Sequence, residues 1–408
     1  MAKIPDHYDI IIIGAGIAGL YSAYNIKPMG KSFLILEKNK KQQLGGRAVN
    51  DYFYNHEVTT GAGIGRKRSD HLLMKLAISL KCPYTEFKTA VDLASDIKLV
   101  DIMKTIDELK TMYKKHPELR HKTFKEFFIA MFNKRQYDNF VLNTGYTDYE
   151  NADTYDTLYH YTMQDIIPGW TGIFISWTEL IIRLYNYIGY IHFKFSTEVT
   201  GVKKTSDMFE INTNSQTYYS NKIIVATTIA GILKIVPYNH SLYRQIHMQP
   251  FIRVYAKFNK ESSDAIKLLI KHYTILKAPL QKIIPIDADK GIYMIAYSDN
   301  KHAVYLKKYI LNTTANRKVF CHLLEDALSL KIKLTITAIR SYYWDIGTHY
   351  YEPLHGDFKN REDFIHHAQR PCNNMVVVGE AVSIHQGWVE GALESVHSVI
   401  TKKWLAKC

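Results

Sequence analysis

Tyr8-Asp9-Ile10-Ile11-Ile12-Ile13-Gly14-Ala15-Gly16-Ile17-Ala18-Gly19-Leu20 is the stretch that decides the fold. Its first half is a nearly continuous apolar run and reads as a strand buried on both faces of a parallel sheet. The strand enters a GxGxxG turn at Gly14, Gly16 and Gly19. Helical spacing follows, with Leu20, Ala23, Tyr24 and Ile26 on one side until Pro28. Ser32-Phe33-Leu34-Ile35-Leu36 is a second strand, and Glu37 stands at its end. Each glycine has its own task. Gly14 makes the tight turn, Gly16 lets a pyrophosphate approach, and Gly19 lets helix and strand pack closely. The helix N-terminus points N–H groups and its positive dipole end at the phosphates. Glu37 can accept hydrogen bonds from both hydroxyls of an adenosine ribose and would repel a 2′-phosphate, which disfavours NADP. A bare GxGxxG is weak evidence. With the strand before it, the helix after it and an acid eighteen residues past Gly19, it is a dinucleotide-binding unit. It does not separate FAD from NAD.

The next element is Leu44-Gly45-Gly46-Arg47-Ala48, in which two glycines let a loop pass close to a cofactor and an Arg follows to meet phosphate. Here the chain resembles the flavin-containing amine oxidase family, which carries GxGxxG, an acid at the second strand end and then GGR. The resemblance continues in Glu57-Val58-Thr59-Thr60-Gly61-Ala62-Gly63-Ile64-Gly65. It implies that this stretch, with Gly63, passes beside the isoalloxazine ring of FAD.

At the other end, Met375-Val376-Val377-Val378-Gly379-Glu380 is a strand ending in Gly-Glu, followed by Gly387-Trp388-Val389-Glu390-Gly391-Ala392 and a helix from about Trp388. The family has a strand, a Gly-Glu and a G-(aromatic)-x-E-G-A string. By resemblance, Glu380 binds the ribityl chain beside Gly379. The Trp388–Val389 backbone would donate to the flavin pyrimidine oxygen from a helix N-terminus, stabilising the negative charge of a reduced flavin. In Phe195-Ser196-Thr197-Glu198-Val199, Val199 matches the residue that holds adenine through its backbone, and Lys222–Thr228 resembles the family's VIVAT strand. Both are also ordinary β sequence.

Three positions bear on the chemistry that the resemblance implies. Trp388 matches one of two aromatic walls that hold the amine at the flavin. Trp344-Asp345-Ile346-Gly347-Thr348-His349-Tyr350-Tyr351 matches the string that supplies the other, and puts His349 there, as a wall or as a satisfied core histidine. Thr348 stands where monoamine oxidases carry a Cys that binds FAD covalently, so noncovalent FAD is expected. In Pro250–Phe258, Arg253 falls where family members carry a Lys bonded through water to flavin N5. Arg does not replace Lys conservatively, so oxidase activity, dehydrogenase or desaturase chemistry all stay open. The rival readings are a same-fold enzyme acting on C–C bonds, of the protoporphyrinogen oxidase or carotenoid desaturase kind, and a catalytically degraded flavin-fold protein kept as a structural or interaction component.

The expected fold class is α/β: a Rossmann-like FAD-binding domain with a parallel sheet, plus a discontinuous α+β substrate domain. The FAD domain is placed at 1–70, 190–245 and 365–408, and the substrate domain at 71–189 and 246–364. Helices are expected at Asp70 to Leu80, Thr105 to Tyr113, Thr123 to Asn133 and Trp177 to Ile188. Strands are expected near Ile252–Phe258, Gly291–Ser298 and Leu334–Tyr343.

With 408 residues, 47% hydrophobic and 22% charged, the composition is that of a two-domain globular protein. No apolar run is long enough for a membrane helix, and neither terminus carries a secretory or prenylation signal. Cys82, Cys321, Cys372 and Cys408 are scattered, with no metal spacing, which implies free thiols, no metal site and a cytoplasmic setting. The net charge of +13 comes from dispersed pieces, among them Lys38 to Lys41 and Arg66-Lys67-Arg68, and reads as a solvated surface. Nucleic acid or another anionic partner has no motif. The expected partner is a small-molecule amine, and the oligomeric state is not legible.

Overall fold

A computed structural model describes residues 6–356 and 358–406. Cys408 lies outside the described residues, as do the extreme termini read for targeting signals. Two sheets organise the chain. In the first, strand His7–Ile13 pairs in parallel with Phe33–Leu36 on one side and Thr217–Val225 on the other. Phe193–Lys194 extends it in parallel beyond Phe33–Leu36, and Met375–Val377 pairs in parallel with the end of Thr217–Val225. A hairpin, Val199–Lys204 with Phe209–Thr213, closes the edge antiparallel. The sheet thus takes strands from three separated parts of the chain. Ile10, Ile11 and Ile12 are fully buried, as a strand covered on both faces requires.

The helix Ile17–Ile26 packs on this sheet with the last long helix, Val389–Val399. Helices His71–Ser79 and Trp177–Ile188 join the same core through Leu73, Leu76, Trp177 and Leu180. Both come from the 71–189 segment expected on the substrate side.

The second sheet runs in the order Ile336–Tyr351, Ile246–Phe258, Ile292–Asp299, Lys282–Asp287, Tyr273–Ile275, Val91–Leu93. It is antiparallel except for the last pair. Helices Ile102–Lys115, Phe124–Met131, Lys134–Thr144 and Thr154–Tyr159 form a separate cluster around buried Phe124, Phe127, Phe128 and Phe140. Each has a side-chain N-cap: Asp101, Thr123, Asn133 and Asp153. No helix among the described residues is long and apolar enough to cross a membrane. Cys82, Cys321 and Cys372 are free thiols.

The three glycines of the first turn differ in what surrounds them. Gly14 has φ +103°, and a Cβ there would lie 2.4 Å from the Ala226 carbonyl oxygen. A Cβ on Gly19 would lie 2.0 Å from the Gly14 oxygen. Gly16 has an ordinary φ of −73° and open space within 4 Å of the Cβ position. Gly14 and Gly19 therefore serve packing, while Gly16 leaves a cradle at a helix N-terminus that no side chain caps. We predict that Gly19→Ala destabilises the chain by about 1–3 kcal/mol, the range for overpacking. Gly16→Ala should stay within about 0.5 kcal/mol. Chemical denaturation midpoints read both, and equal losses would contradict the division of roles.

Candidate active site

The GGR loop lies directly on the first turn. The Gly45 N–H donates to the Ala15 oxygen at 3.2 Å, and Gly16 and Gly45 form an isolated parallel bridge. Gly45 and Gly46 both have positive φ, +96° and +61°, which glycine alone adopts freely. Glu37 is buried, and its carboxylate accepts from the Ala15 N–H at 2.8 Å and the Asn39 N–H at 2.9 Å. These bonds aim it at the turn. The Thr197 N–H donates to the Glu37 carbonyl at 2.9 Å, so the segment leading into Val199 crosses the same strand end.

The C-terminal motif meets the N-terminal one at a buried carboxylate. Glu380 Oε1 accepts from Arg47 Nη1 at 2.8 Å, and Oε2 accepts from the Gly387 N–H at 3.1 Å. His349 Nδ1 lies 2.5 Å from Oε1. The other ring nitrogen, Nε2, accepts from the Ile229 N–H at 3.2 Å. That bond requires a lone pair on Nε2, so the proton sits on Nδ1 and is donated to Glu380. His349 is 3% exposed, and both its nitrogens are engaged. Of its two expected settings, wall or satisfied core histidine, this geometry is the second; Thr348 and Tyr350 flank it half-buried on the same strand. Burial by itself would raise the Glu380 pKa. The Arg47 charge, with the hydrogen bonds from His349 and Gly387, outweighs it and holds the carboxyl well below the usual carboxylate range.

Gly379 has φ +125° and open space at its Cβ position. Gly387, φ +79°, is exposed, and its Cβ position is 3.6 Å from the Thr348 methyl. Trp388 is the N-cap residue of helix Val389–Val399, where no side chain bonds the first N–H groups. The Trp388 ring is covered on one face by the Arg66 guanidinium at 3.8 Å. Arg66 was expected on a solvated basic surface; instead it is 2% exposed. It is held by Asp70 at 2.7 Å and Asp165 at 2.8 Å. Only its neighbours Lys67 and Arg68 face solvent. Glu390 and Gly391 of the matched string serve packing. Glu390 accepts from the Leu72 and Leu73 N–H groups, and a Cβ on Gly391 would meet the His385 oxygen at 1.9 Å.

The second sheet reaches Thr59 to Gly63, the end of a two-stranded hairpin, Asn50–Phe53 with His56–Thr59, and the loop after it. Trp344 Nε1 donates to the Thr60 oxygen, and the Tyr255 hydroxyl to the Thr59 oxygen, both at 2.8 Å. Trp177 Nε1 donates to the Gly63 oxygen at 3.1 Å. Arg253 is 3% exposed and donates from Nη1 to Thr59 Oγ1. A Cβ on Gly63 would come within 3.0 Å of Arg253 Nη2. Arg253 thus reaches the stretch expected beside the flavin ring.

Comparisons with known proteins bear on the fold. Residues 12–75 match a family model described as an NAD(P)-binding Rossmann-like domain. A double mutant of putrescine oxidase superposes with a TM-score of 0.77 at 13% identity, covering 98% of this chain and 99% of that one. Cyclohexylamine oxidase from Brevibacterium oxydans IH-35A superposes with a TM-score of 0.73 at 17% identity, over 97% and 98%. The chain has the fold of the flavin-containing amine oxidases. An uncharacterised protein of Acanthamoeba polyphaga mimivirus is 20% identical over 97% of this chain and 93% of its own length. In this amine oxidase fold, Arg66 and the His349–Glu380 contact are the site features that sequence spacing did not reveal, because each depends on residues far away in the chain.

The low pKa of Glu380 gives a signed prediction. A depressed carboxylate contributes stability that is present above its unfolded pKa, near 4.3, and lost as pH falls through the folded value. Glu380→Gln should therefore cost about 3–5 kcal/mol at pH 7, the range for breaking a buried ion pair. The gap to the unaltered chain should shrink below about pH 4. Denaturation midpoints from pH 3 to 7 measure it, and a gap that is constant with pH would contradict the assigned charge state.

Proposed function

We propose that the chain is an FAD-dependent amine oxidase with noncovalent flavin. The observation that carries this reading is the convergence of both chain ends: Gly16 of GxGxxG is bridged to Gly45 of GGR, and Arg47 and the Gly387 N–H both bond the carboxylate of Glu380. The residues present fit a dinucleotide. Open space over Gly16, an uncapped helix start at Ile17 and open space at Gly379 are the cradles such a ligand would fill.

Gly14, Gly16 and Gly19 with the helix N-terminus would hold the pyrophosphate, Glu37 the adenosine ribose and Val199 the adenine. Gly46 and Arg47 would flank the phosphates, Gly63 the ring, and Gly379 and Glu380 the ribityl chain. The Trp388 and Val389 N–H groups would face the pyrimidine edge. Bound FAD would supply N5 as acceptor for the hydride equivalent leaving the carbon of a neutral amine, with O2 then yielding H2O2. Trp388 would wall the substrate with the ring face that Arg66 leaves free. His349, behind Glu380, acts as a positioning residue in this reading.

The purified protein should be yellow, and acid or heat should release intact FAD into the supernatant, because Thr348 offers no thiol. A panel of amines should bleach the flavin anaerobically and give peroxide in air. Flavin retained on the precipitated chain would contradict noncovalent binding. A flavin-loaded protein that no amine reduces would contradict the oxidase reading.

A further inference from the structure

The cations around the proposed site are not all answered by carboxylates. Arg47 is paired with Glu380, and Arg66 with Asp70 and Asp165. Lys282 is fully buried on strand Lys282–Asp287, where its Nζ donates to the Tyr297 oxygen at 3.3 Å. Burial pushes Lys282 down to about 7, and Asp299 and Asp148 are the carboxylates that favour its charge. It can also relieve its burial by losing a proton.

Arg253 has neither recourse. No carboxylate forms an ion pair with it among the described residues, and its buried Nε has no hydrogen-bond partner. The groups that touch it are neutral, Thr59 Oγ1, the Tyr297 ring at 4.4 Å and the hydroxyl of Tyr255, and the charge it acts on is a second cation, Lys282 over the same ring. A guanidinium stays protonated in a protein, and an unanswered buried charge is strongly destabilising. A fold that keeps one beside Gly63 has a use for an anion there.

Charge and shape indicate which anion. The carboxylates Glu380, Asp70 and Asp165 are each neutralised by an arginine, and Asp148 and Asp299 face the buried Lys282 and are bonded by Tyr161, Thr147 and Gln281, so each already has a cation or hydroxyl to answer it before the far ammonium of a diamine. The reduced flavin already has donors, in the reading above, at the Trp388–Val389 helix start. The unpaired Nε belongs to the planar fork that grips a carboxylate with two parallel bonds. Resting on the amine oxidase reading, we infer that Arg253 binds the carboxylate of the substrate. The oxidised amine is then an amino acid or related amino-carboxylate, not a simple amine or a diamine.

The test uses flavin-loaded protein. Phenylacetate and phenylacetamide, which differ only in charge at the carboxyl end, are titrated against the flavin absorbance. Anaerobic reduction by phenylalanine is then compared with that by phenethylamine. Phenylacetate should bind at least about tenfold tighter than phenylacetamide, the size of one charge-assisted hydrogen bond, and phenylalanine should reduce the flavin faster. In Arg253→Met the binding preference should fall to about parity, with flavin content and thermal midpoint retained. If that variant loses flavin, Arg253→Lys, which keeps the charge but not the fork, should show an intermediate preference. Equal binding in the unaltered protein, or a preference that survives in both variants, would overturn the inference. Reduction by phenethylamine without any carboxylate preference would sink this inference and leave the amine oxidase reading standing. A protein that takes up no flavin would sink both.

Discussion

One buried carboxylate holds the site together. Glu380 sits on a strand-to-helix connection near the C-terminal end and receives Arg47 from the first fifty residues, His349 from the second sheet and the N–H of Gly387 from its own turn. Three parts of the chain that share no local sequence are thereby fixed to one another. The cost of burying the charge is offset because two charge-assisted bonds and a backbone donor all favour the ionised form. His349 is itself held from behind by Ile229, which leaves its ring a single tautomer to present. Arg47 also donates to the Gly347 oxygen at 2.7 Å, so the strand carrying Thr348 and His349 is tied in twice.

Around this clasp the two sheets divide the work. The parallel sheet and its helices carry the glycine cradles at Gly16 and Gly379 and the uncapped helix starts at Ile17 and Val389. The antiparallel sheet brings side chains: Arg253, Tyr255 and Trp344 all reach Thr59 to Gly63 from it. The proposed cofactor contacts are thus mostly backbone, which tolerates sequence change if the turns survive. The contacts proposed for the substrate are side chains, and the structural neighbours, at 13–17% identity, share the fold with this chain but give no guide to specificity. Arg66, itself held by Asp70 and Asp165, covers one face of the Trp388 ring.

The fold and the glycine turns on which the proposed cofactor site rests were legible in the sequence, for a physical reason. A phosphate turn needs glycines at fixed offsets between a buried strand and a helix, and all of those demands are local. Gly14 and Gly19 occupy the tight-turn and close-packing positions that their spacing implied, and Gly45 and Gly46, read as a loop passing close by, have positive φ and lie against Gly16. The helix Trp177–Ile188 was read from its apolar spacing at its observed bounds, but not its partner sheet, because periodicity fixes a buried face without saying what covers it. The same limit hid Arg66. Its place in Arg66-Lys67-Arg68 suggests solvent, while its burial depends on Asp165, ninety-nine residues on, and on the Trp388 ring. His349 was found by its string, but its bonds to Glu380 and Ile229 required the fold.

The central claim is that both chain ends enclose a single FAD. A diffraction structure of the protein crystallised with saturating FAD tests it most directly. The account predicts one continuous ligand, with adenosine at Glu37, pyrophosphate over Gly16 and the ring between Gly63 and the Trp388–Val389 turn. Density confined to the Gly16 end, with the Gly387 turn closed over an intact Glu380 clasp and no ring beside it, would contradict the account.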